Sequence, residues 1–484
     1  MSVPPFDLAA AALSDLVAAG FHPDFSPEAE AQLKEIVAAP PATATVNLGQ
    51  LLWSSIDNDT SRDLDQIEVA REVPGGIEIS VAIADVAATV PQGSPLDLHA
   101  SSECQTVYTA THNFPMLPNE LSTGLTSLNP SQDRAAVVIR FTVAPSGELL
   151  NSTISEAVVR NQAQLAYSRV GPWLEGSAPP DTTVGSSPDL QSQLHLQDQA
   201  AQRLHAARVR AGALEFSRAE VDPVLIDGQV QGLSTATHNR ASSLIEELMI
   251  ACNEIMAKTL AAAGRSAIRR VVRSPERWAR IVDLANTKGT ALPSTPDAGS
   301  LAAFLRAQQA SDPVHYPDLA LAVIKLMGPG EYVLAAGGAP EAPGHFGLAA
   351  RDYAHSTAPN RRFADLVTQR VIKAVLHQQP APYTDDELAA IADRCNARES
   401  AARKVERAQA KRMAAVAMAP SIGKSFRGVV TGASPKGVFV RVLNPPVEGK
   451  IVRGDQGLDV GDVVTVTLIH TDPQHAFIDF ARVT

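Results

Sequence analysis

Cysteines are scarce in this chain, and long apolar runs are missing. Only three cysteines occur among 484 residues, and they lie far apart with no CxxC pair. This spacing argues against a disulfide framework or a cysteine-rich zinc site, and it favours buried thiols. No stretch is apolar over the length of a membrane span, and the N-terminus lacks a basic leader. The sequence therefore predicts a soluble, cytoplasmic protein that does not contact membranes.

The net negative charge of the chain is unfavourable for binding nucleic acid. The formal net charge is −11, so the average field repels nucleic acid. Binding of a nucleic acid would need a local basic groove, and basic side chains are concentrated between residues 394 and 427. This run is typical either of a solvated helix face or of a path for a nucleic-acid backbone. The length of the chain predicts two or three domains.

The apolar periodicity divides the chain into recognisable segments. Residues 6–38 have helical spacing, with Ser26 as a cap before Pro27, and alternation over 77–83 and 135–143 predicts strands. Short strands that follow Pro420 predict a small closed barrel of the OB type. Further helices are predicted over 196–212, 239–263, 364–378 and 385–415, and loops over 170–195 and 283–300.

An acidic cluster is the strongest chemical signal, and it falls in a loop between predicted strands. Asp57, Asp59, Asp63 and Asp65 occupy four of nine consecutive positions. Carboxylates this close together repel one another unless water solvates them or a cation neutralises them. Oxygen ligands suit Mg²⁺, Mn²⁺ or Ca²⁺, and carboxylate-bound Mg²⁺ suits the hydrolysis of phosphodiesters.

Two other interpretations of the cluster remain open from the residues alone. One is a solvated acidic loop without a ligand. The other is an EF-hand, although Arg62 stands where the sharp turn of such a loop needs glycine, and the downstream flank is predicted to be a strand. The side chains at the EF-hand ligand positions are Asp57, Asp59, Ser61, Asp63, Asp65 and Glu68.

The string IDNDTSRDLDQ, residues 56–66, resembles the signature of the RNase II (RNB) family, in which a T-I-D…D-x-D-D stretch holds a catalytic Mg²⁺. Asp57, Asp63 and Asp65 fall on three of the four aspartates, whereas Gln66 replaces the fourth and removes one negative charge. The resemblance extends over residues 48–378 and again from 421 to the end. Its other segments include VAIADVAATVPQGSPLD, PMLPNELSTGLTSLNP, HNRASSLIEELMIACNE and HFGLAARDYAHSTAPNRRFADLVTQRVIKAVL.

This resemblance implies a multidomain α+β protein. A helical N-terminal segment, residues 1–45, would precede a mixed α/β RNB catalytic domain over 46–419 and an S1 barrel of the OB type over 420–484. The N-terminal segment is too short for the cold-shock barrels of familiar bacterial members. The implied activity is hydrolytic 3′→5′ degradation of single-stranded RNA to nucleoside 5′-monophosphates, with Mg²⁺ as the cofactor and Mn²⁺ as a substitute. A monomer is the default expectation.

The resemblance also assigns residues to the chemistry. Asp57, Asp63, Asp65 and Gln66 would hold the metal, and Arg361 matches the position of a catalytic arginine. Ala358 and Asn360 replace a serine and an isoleucine of the family beside it. Because Gln66 departs from the motif, an RNA-binding protein with an impaired site remains an alternative function.

Aromatic side chains supply the remaining candidates. They make up only 5% of the chain, so each one near the site is informative, although an aromatic is more often core than ligand. Tyr108 and Phe216 match family residues that stack on bases near the RNA 3′ end, and Tyr167 is matched to one at a channel entrance. The further RNA-binding candidates are Phe426 and Phe439 in the barrel and Arg362, for which a salt bridge to Asp365 is the structural alternative.

Overall fold

Ten of the described strands close into two five-stranded barrels, and the other six form three two-stranded sheets. The computed structural model describes residues 6–39, 46–109, 112–216, 220–226, 229–236, 238–313, 315–338, 344–435 and 437–483. The strands are β1 Trp53–Asp57, β2 Gln66–Val73, β3 Gly76–Ala84, β4 Val107–Tyr108, β5 Asn113–Phe114, β6 Asp133–Val143, β7 Leu149–Ala166, β8 Glu220–Ile226, β9 Gln229–Ala236, β10 Ala267–Val271, β11 Glu331–Ala335, β12 Ser425–Ser434, β13 Gly437–Val442, β14 Glu448–Arg453, β15 Val463–Asp472 and β16 Phe477–Arg482.

The helices lie mainly between and around the two barrels. None of those in the described ranges combines the length and the apolar character needed to cross a membrane. The helices are α1 Leu8–Ala18, α2 Pro27–Ala38, α3 Val86–Thr89, α4 Pro95–Glu103, α5 Tyr167–Leu174, α6 Thr182–Gly185, α7 Pro188–Arg210, α8 Arg240–Ala262, α9 Trp278–Thr287, α10 Ala298–Ser311, α11 Tyr316–Met327, α12 Phe363–Leu376 and α13 Asp385–Met418, and a π-helical turn spans Glu120–Leu125.

The first barrel has the strand order β1-β2-β3-β6-β7. Neighbouring strands are antiparallel except at the closure, where β1 runs parallel to β7 with Asp57 opposite Ala166. The predicted alternation of β3 is present, and the barrel shares its main apolar core with α7, α8 and α12. Helices cover the outer face, so β3 is buried on both faces near its end at Ala84.

The second barrel has the order β12-β13-β14-β16-β15 and closes through β12 and β15. The parallel pair is β14 with β16, and the remaining neighbours are antiparallel, as in an OB fold. Its core is built from valine, isoleucine and leucine side chains around Phe480, together with Ala415 and Met418 from the end of α13. The predicted OB-type barrel is therefore confirmed, and α13 connects it to the rest of the chain.

The N-terminal segment is helical, as its periodicity predicts. The hydroxyl of Ser26 accepts a hydrogen bond from the amide of Ala29 at 3.2 Å, with Pro27 in the first turn of α2. Helix α1 packs on α13 through a small apolar core that includes Leu16 and Phe21. The N-terminal helices thus pack against α13 and α4.

The loop predicted over residues 170–195 is wrong, because most of this segment is helical. Asp181 and Ser187 each cap a helix, and Pro188 occupies the first turn of α7. The Pro, Ser and Asp residues that suggested a loop therefore mark helix starts. The loop predicted over 283–300 is confirmed only between the end of α9 at Thr287 and the start of α10 at Ala298.

Candidate active site

The acidic loop connects β1 to β2 and is fixed from outside by one serine. Asp57 ends β1 and Gln66 begins β2, so residues 58–65 form the connection. The hydroxyl of Ser127 donates to the carbonyl of Arg62 at 2.8 Å and accepts from the amide of Leu64 at 3.0 Å. This anchor comes from the PMLPNELSTGLTSLNP segment, so two of the motifs found in the sequence meet here.

The local structure removes the EF-hand interpretation of the acidic cluster. An EF-hand needs a helix on each side of its loop, and here a strand stands on each side. Of the four aspartates, Asp59 is exposed, as in a solvated loop, whereas Asp65 is only 2% exposed. A buried acid needs a partner, and for Asp65 this partner is Arg361.

Asp65 is paired with Arg361 across 296 residues of sequence. The Nε of Arg361 donates to Oδ2 of Asp65 at 3.1 Å, and the amide of Asn360 donates to Oδ1 at 3.2 Å. Burial raises the pKa of Asp65 to about 6, against the opposing effect of the Arg361 charge. The Arg361 side chain stays 44% exposed, so its remaining donors face outwards from a fixed carboxylate.

The two neighbouring loop aspartates also have protein partners. Oδ1 of Asp57 accepts from the Ser61 hydroxyl at 2.9 Å. Oδ2 of Asp63 accepts from the Tyr108 hydroxyl at 2.8 Å, and the Tyr108 side chain is partly exposed. Burial, together with the negative charge of Asp63, raises the pKa of Tyr108, so this phenol remains a hydrogen-bond donor. Tyr108 therefore places an aromatic ring beside the acidic loop.

A ready-made metal cage is not formed by these side chains. Within the residues that the structure describes, no three His, Cys, Asp or Glu side chains are close enough to hold an ion. Three loop aspartates instead turn to protein donors, namely Ser61, Tyr108 and Arg361. Binding of a cation requires some of these carboxylates to rotate away from those donors.

The chemistry of the donor set nevertheless fits a hard cation, and one buried group supports this directly. Gln66 and Glu68 are 7% and 0% exposed and occupy alternate positions of β2, hence one face of the strand. Neither carboxylate oxygen of Glu68 has a hydrogen-bond partner. Burial, and then the charge of Asp57, raises the pKa of Glu68 well above its usual value. An acid in this position is unfavourable as a bare anion.

Tyr167 lies beside the same acids. It is the first residue of α5, and its backbone carbonyl accepts a hydrogen bond from the side-chain amide of Asn239 at 3.0 Å. Burial raises the pKa of Tyr167, and the negative charges of Asp57 and Glu68 add to the effect. Tyr167 follows Ala166, the residue opposite Asp57, and its match to a channel-entrance aromatic stays a prediction.

Phe216 and Arg362 are both held by neighbouring side chains. Phe216 is half-buried and packs on an apolar core formed by α9, α10 and α11. Arg362 donates through Nε to Asp365 at 2.8 Å and through a terminal nitrogen at 2.6 Å. The salt bridge predicted for Arg362 is present, but Asp365 is fully buried, so the pair lies inside the protein. The assigned roles of both residues in RNA binding stay predictions.

The two barrel aromatics occupy different environments. Phe426 packs against the second-barrel core, with its ring centroid 6.4 Å from that of Phe480 in an edge-on contact. Phe439 is half-buried on β13, and its ring lies over Gly432 of the neighbouring strand β12. Both rings are half-buried, Phe426 contributes to the core, and the stacking roles of both residues stay predictions.

Glu247 belongs to a buried network whose geometry the sequence did not predict. It is 4% exposed and accepts from Nδ1 of His205 and from Nε of Arg208, each at 2.8 Å. His205 also contacts Glu215 at 2.9 Å, the residue before Phe216. The available signal was Glu246-Glu247 near the start of an otherwise apolar helix, which also fits simple stabilisation of the helix dipole.

The family model described as "RNB domain" matches residues 45–378 of the chain, more than half of its length. The chain belongs to the RNB family. The model described as "RNase II-type exonuclease C-terminal S1 domain" matches residues 424–483, which contain the second barrel. The acidic loop, Tyr108, Phe216 and Arg361 all lie within the RNB match.

Curated relatives of this RNB protein carry the name Ribonuclease R. The Escherichia coli protein is 29% identical over 440 residues, which cover 87% of this chain and 52% of that protein. The Lactococcus lactis Ribonuclease R 1 is 28% identical over 426 residues, covering 83% and 49%. The chain therefore spans about half the length of these relatives.

Solved structures share the fold of this RNB protein at low identity. Mycoplasma genitalium RNase R in complex with ribose-methylated single-stranded RNA has a TM-score of 0.86 and 21% identity, covering 99% of this chain and 78% of that one. Yeast Ssd1, described as a pseudonuclease, has a TM-score of 0.67 and 17% identity, covering 90% and 53%. The fold thus accompanies both an RNase and a pseudonuclease, and the site residues must decide between these activities.

Proposed function

We propose that this protein is a 3′→5′ exoribonuclease that hydrolyses single-stranded RNA to nucleoside 5′-monophosphates, with Mg²⁺ at the acidic loop and Mn²⁺ as a substitute. The observation that carries the proposal is the ion pair between the buried Asp65 and Arg361. It fixes a guanidinium, a group suited to binding phosphate, beside a cluster of carboxylates. Membership of the RNB family and the naming of the relatives support the direction and the RNA substrate.

The proposed roles follow from the placement of each side chain. Asp57, Asp63, Asp65 and Gln66 would hold the ion, which supplies an activated water and offsets charge at the scissile phosphate. Arg361 donates to phosphate oxygens as charge develops there, and Asp65 keeps its guanidinium in place. Tyr108 stacks on a base close to the loop, and this contact tolerates any sequence. Phe216 is proposed to contact the terminal bases.

Replacement of Asp65 by Asn tests this function. The variant keeps the shape of the side chain but loses the charge that orients Arg361 and contributes to the metal site. We expect cleavage to fall about 100-fold or more, while binding of a single-stranded RNA stays close to wild type. Cleavage would be followed on labelled RNA in gels, and binding by fluorescence anisotropy.

The matched control is Asp59→Asn. Asp59 lies in the same loop, is exposed and accepts from the Ser168 hydroxyl at 2.9 Å, outside the proposed ligand set. This variant removes the same charge and should retain cleavage. Normal cleavage by the Asp65→Asn protein would contradict the proposed site.

A second function, RNA binding without cleavage, is favoured by one observation. Gln66 replaces the fourth acid of the family motif, and yeast Ssd1 has this fold and is described as a pseudonuclease. If the wild-type protein proves inert, gain of cleavage in Gln66→Asp would support this alternative. Cleavage by the wild-type protein would exclude it.

A further inference from the structure

Glu68 is a fully buried carboxylate with no role in the function described so far. It is 0% exposed, and neither of its oxygens has a hydrogen-bond partner. Its cross-strand neighbour on β1 is Ser54, whose buried hydroxyl also has no partner. Native proteins satisfy nearly all buried polar groups, so a set of unsatisfied oxygens in one place points to a ligand.

The position of Glu68 relates it to the acidic loop. Gln66 and Glu68 are alternate residues of β2, so their side chains share one face of the strand about 7 Å apart. Ser54, which lies opposite Glu68, precedes Asp57 by three residues on β1, and Gln66 begins β2 where the acidic loop ends. Glu68 therefore lies on the pair of strands that carry the acidic loop, on the strand face that Gln66 also occupies.

The placement of Glu68 matters because the acidic loop has one negative charge fewer than the family motif. The motif of the family carries four aspartates, and Gln66 leaves three here. We propose that Glu68 supplies the missing fourth carboxylate of the metal site. The proposal rests on the proposed function, since it names a ligand for the same ion.

The chemistry of glutamate suits this substitution. Its side chain is one methylene longer than that of aspartate, so its carboxylate extends farther from the strand than that of an aspartate at the same position would. A buried, unpaired anion is strongly unfavourable, and a bound divalent cation removes that penalty. Glu68 thus restores both the oxygen ligand and the negative charge that position 66 lacks.

The test is the affinity for Mn²⁺ of the full-length protein, measured without RNA from the electron paramagnetic resonance signal of the free ion. We expect Glu68→Gln to weaken binding about tenfold or more, because loss of even an outer partner of a ligand costs about 10–100-fold. Glu72→Gln, which removes an exposed acid from the same strand, is the matched control and should bind as wild type does. Equal affinity of the Glu68→Gln protein and wild type would overturn the proposal.

Two further variants distinguish direct binding of the ion by Glu68 from the effect of its charge alone. Gln66→Asp leaves Glu68 unchanged, so it also tests the proposal if the Glu68 variants misfold. Glu68→Asp keeps the charge but withdraws the carboxylate, so it should also lose affinity; wild-type affinity in this variant would overturn the ligand role. Gln66→Asp leaves Glu68 intact, and it should gain little affinity if four carboxylates are already present. A gain of about tenfold or more in Gln66→Asp alone would show that the fourth ligand is missing and would contradict the proposal.

The outcome also distinguishes this inference from the proposed function. If the wild-type protein neither binds Mn²⁺ nor cleaves RNA, the proposed function fails. If it does both, and Glu68→Gln binds Mn²⁺ equally well, only the role of Glu68 fails.

Discussion

Arg361 differs from its neighbour Arg362 in what its donors face. Arg362 donates hydrogen bonds from its Nε and a terminal nitrogen to the buried Asp365. Arg361 donates only its Nε to Asp65, and its side chain is 44% exposed. A guanidinium fixed at one edge can present its other edge to a phosphate in a planar, two-bond contact. The two adjacent arginines therefore divide into one that holds the fold and one that is available to substrate.

Arg361→Lys tests this assignment. Lysine keeps the charge but lacks the fork, so it cannot bond Asp65 and a phosphate in the same geometry. We expect the rate constant for cleavage under saturating RNA to fall about 100-fold or more, with little change in RNA affinity. Single-turnover kinetics with excess enzyme would measure it.

The control for this substitution is Arg160→Lys, which alters an exposed arginine paired with Asp133 on the first barrel. Its cleavage rate should match wild type. A modest loss in Arg361→Lys, no larger than in the control, would mean that Arg361 does not contact the reacting phosphate.

At this scale the sequence selected candidate residues but did not predict their environments. The motif match selected Asp57, Asp63, Asp65 and Arg361, and the structure brings Arg361 to Asp65 in an ion pair. Glu68 was noted only as a possible EF-hand ligand, because its significance depends on complete burial and on the strand face it shares with Gln66. Burial of a single charged residue arises from tertiary packing and leaves no local signature in the sequence.

Among the elements, periodicity predicted the long helices and the central strands well. The closure of the first barrel could not be predicted, because it depends on the parallel pairing of β1 with β7, which lies about 100 residues away in the sequence. The helices within 170–195 were missed because their caps, Asp181 and Ser187, resemble loop residues in composition. Local pattern identifies elements, and long-range pairing decides how they assemble.

The contact between His205 of α7 and Glu247 of α8 predicts how the stability of the protein depends on pH. The hydrogen bond to Glu247 is the largest cause that raises the pKa of His205 above its usual 6.5. A group whose pKa is raised by folding stabilises the protein fully below its unfolded pKa, and the contribution is lost as pH rises through the folded value. We therefore expect His205→Gln to lower the melting temperature more at pH 6 than at pH 8.5, as measured by differential scanning calorimetry.

The control is Gln202→Ala, which changes a residue without an ionising group one turn earlier on the same helix. The difference between this variant and wild type should not depend on pH. If the His205→Gln difference is likewise constant across the range, the His205–Glu247 contact is not a charged one in the folded protein.

For the whole molecule, the distribution of charge matters more than its sum. The basic run over 394–427 lies mostly on α13, but some of its members serve the fold. Arg398 donates to the carbonyls of Ser102 and Gly20, and Arg412 pairs with Asp15 of α1. The contacts with Gly20 and Asp15 secure the N-terminal segment on α13, so any path for the RNA backbone depends on the other basic residues of the run.

The most direct test of the account is a cleavage time course with the wild-type protein. Single-stranded RNA labelled at its 5′ end is incubated with the protein in Mg²⁺ or in EDTA, and the products are resolved at single-nucleotide resolution. Metal-dependent shortening to a small labelled 5′ fragment, with release of nucleoside 5′-monophosphates, is the predicted result. Intact RNA under both conditions, with RNA binding retained, would contradict it and would leave this RNB fold as an RNA-binding module.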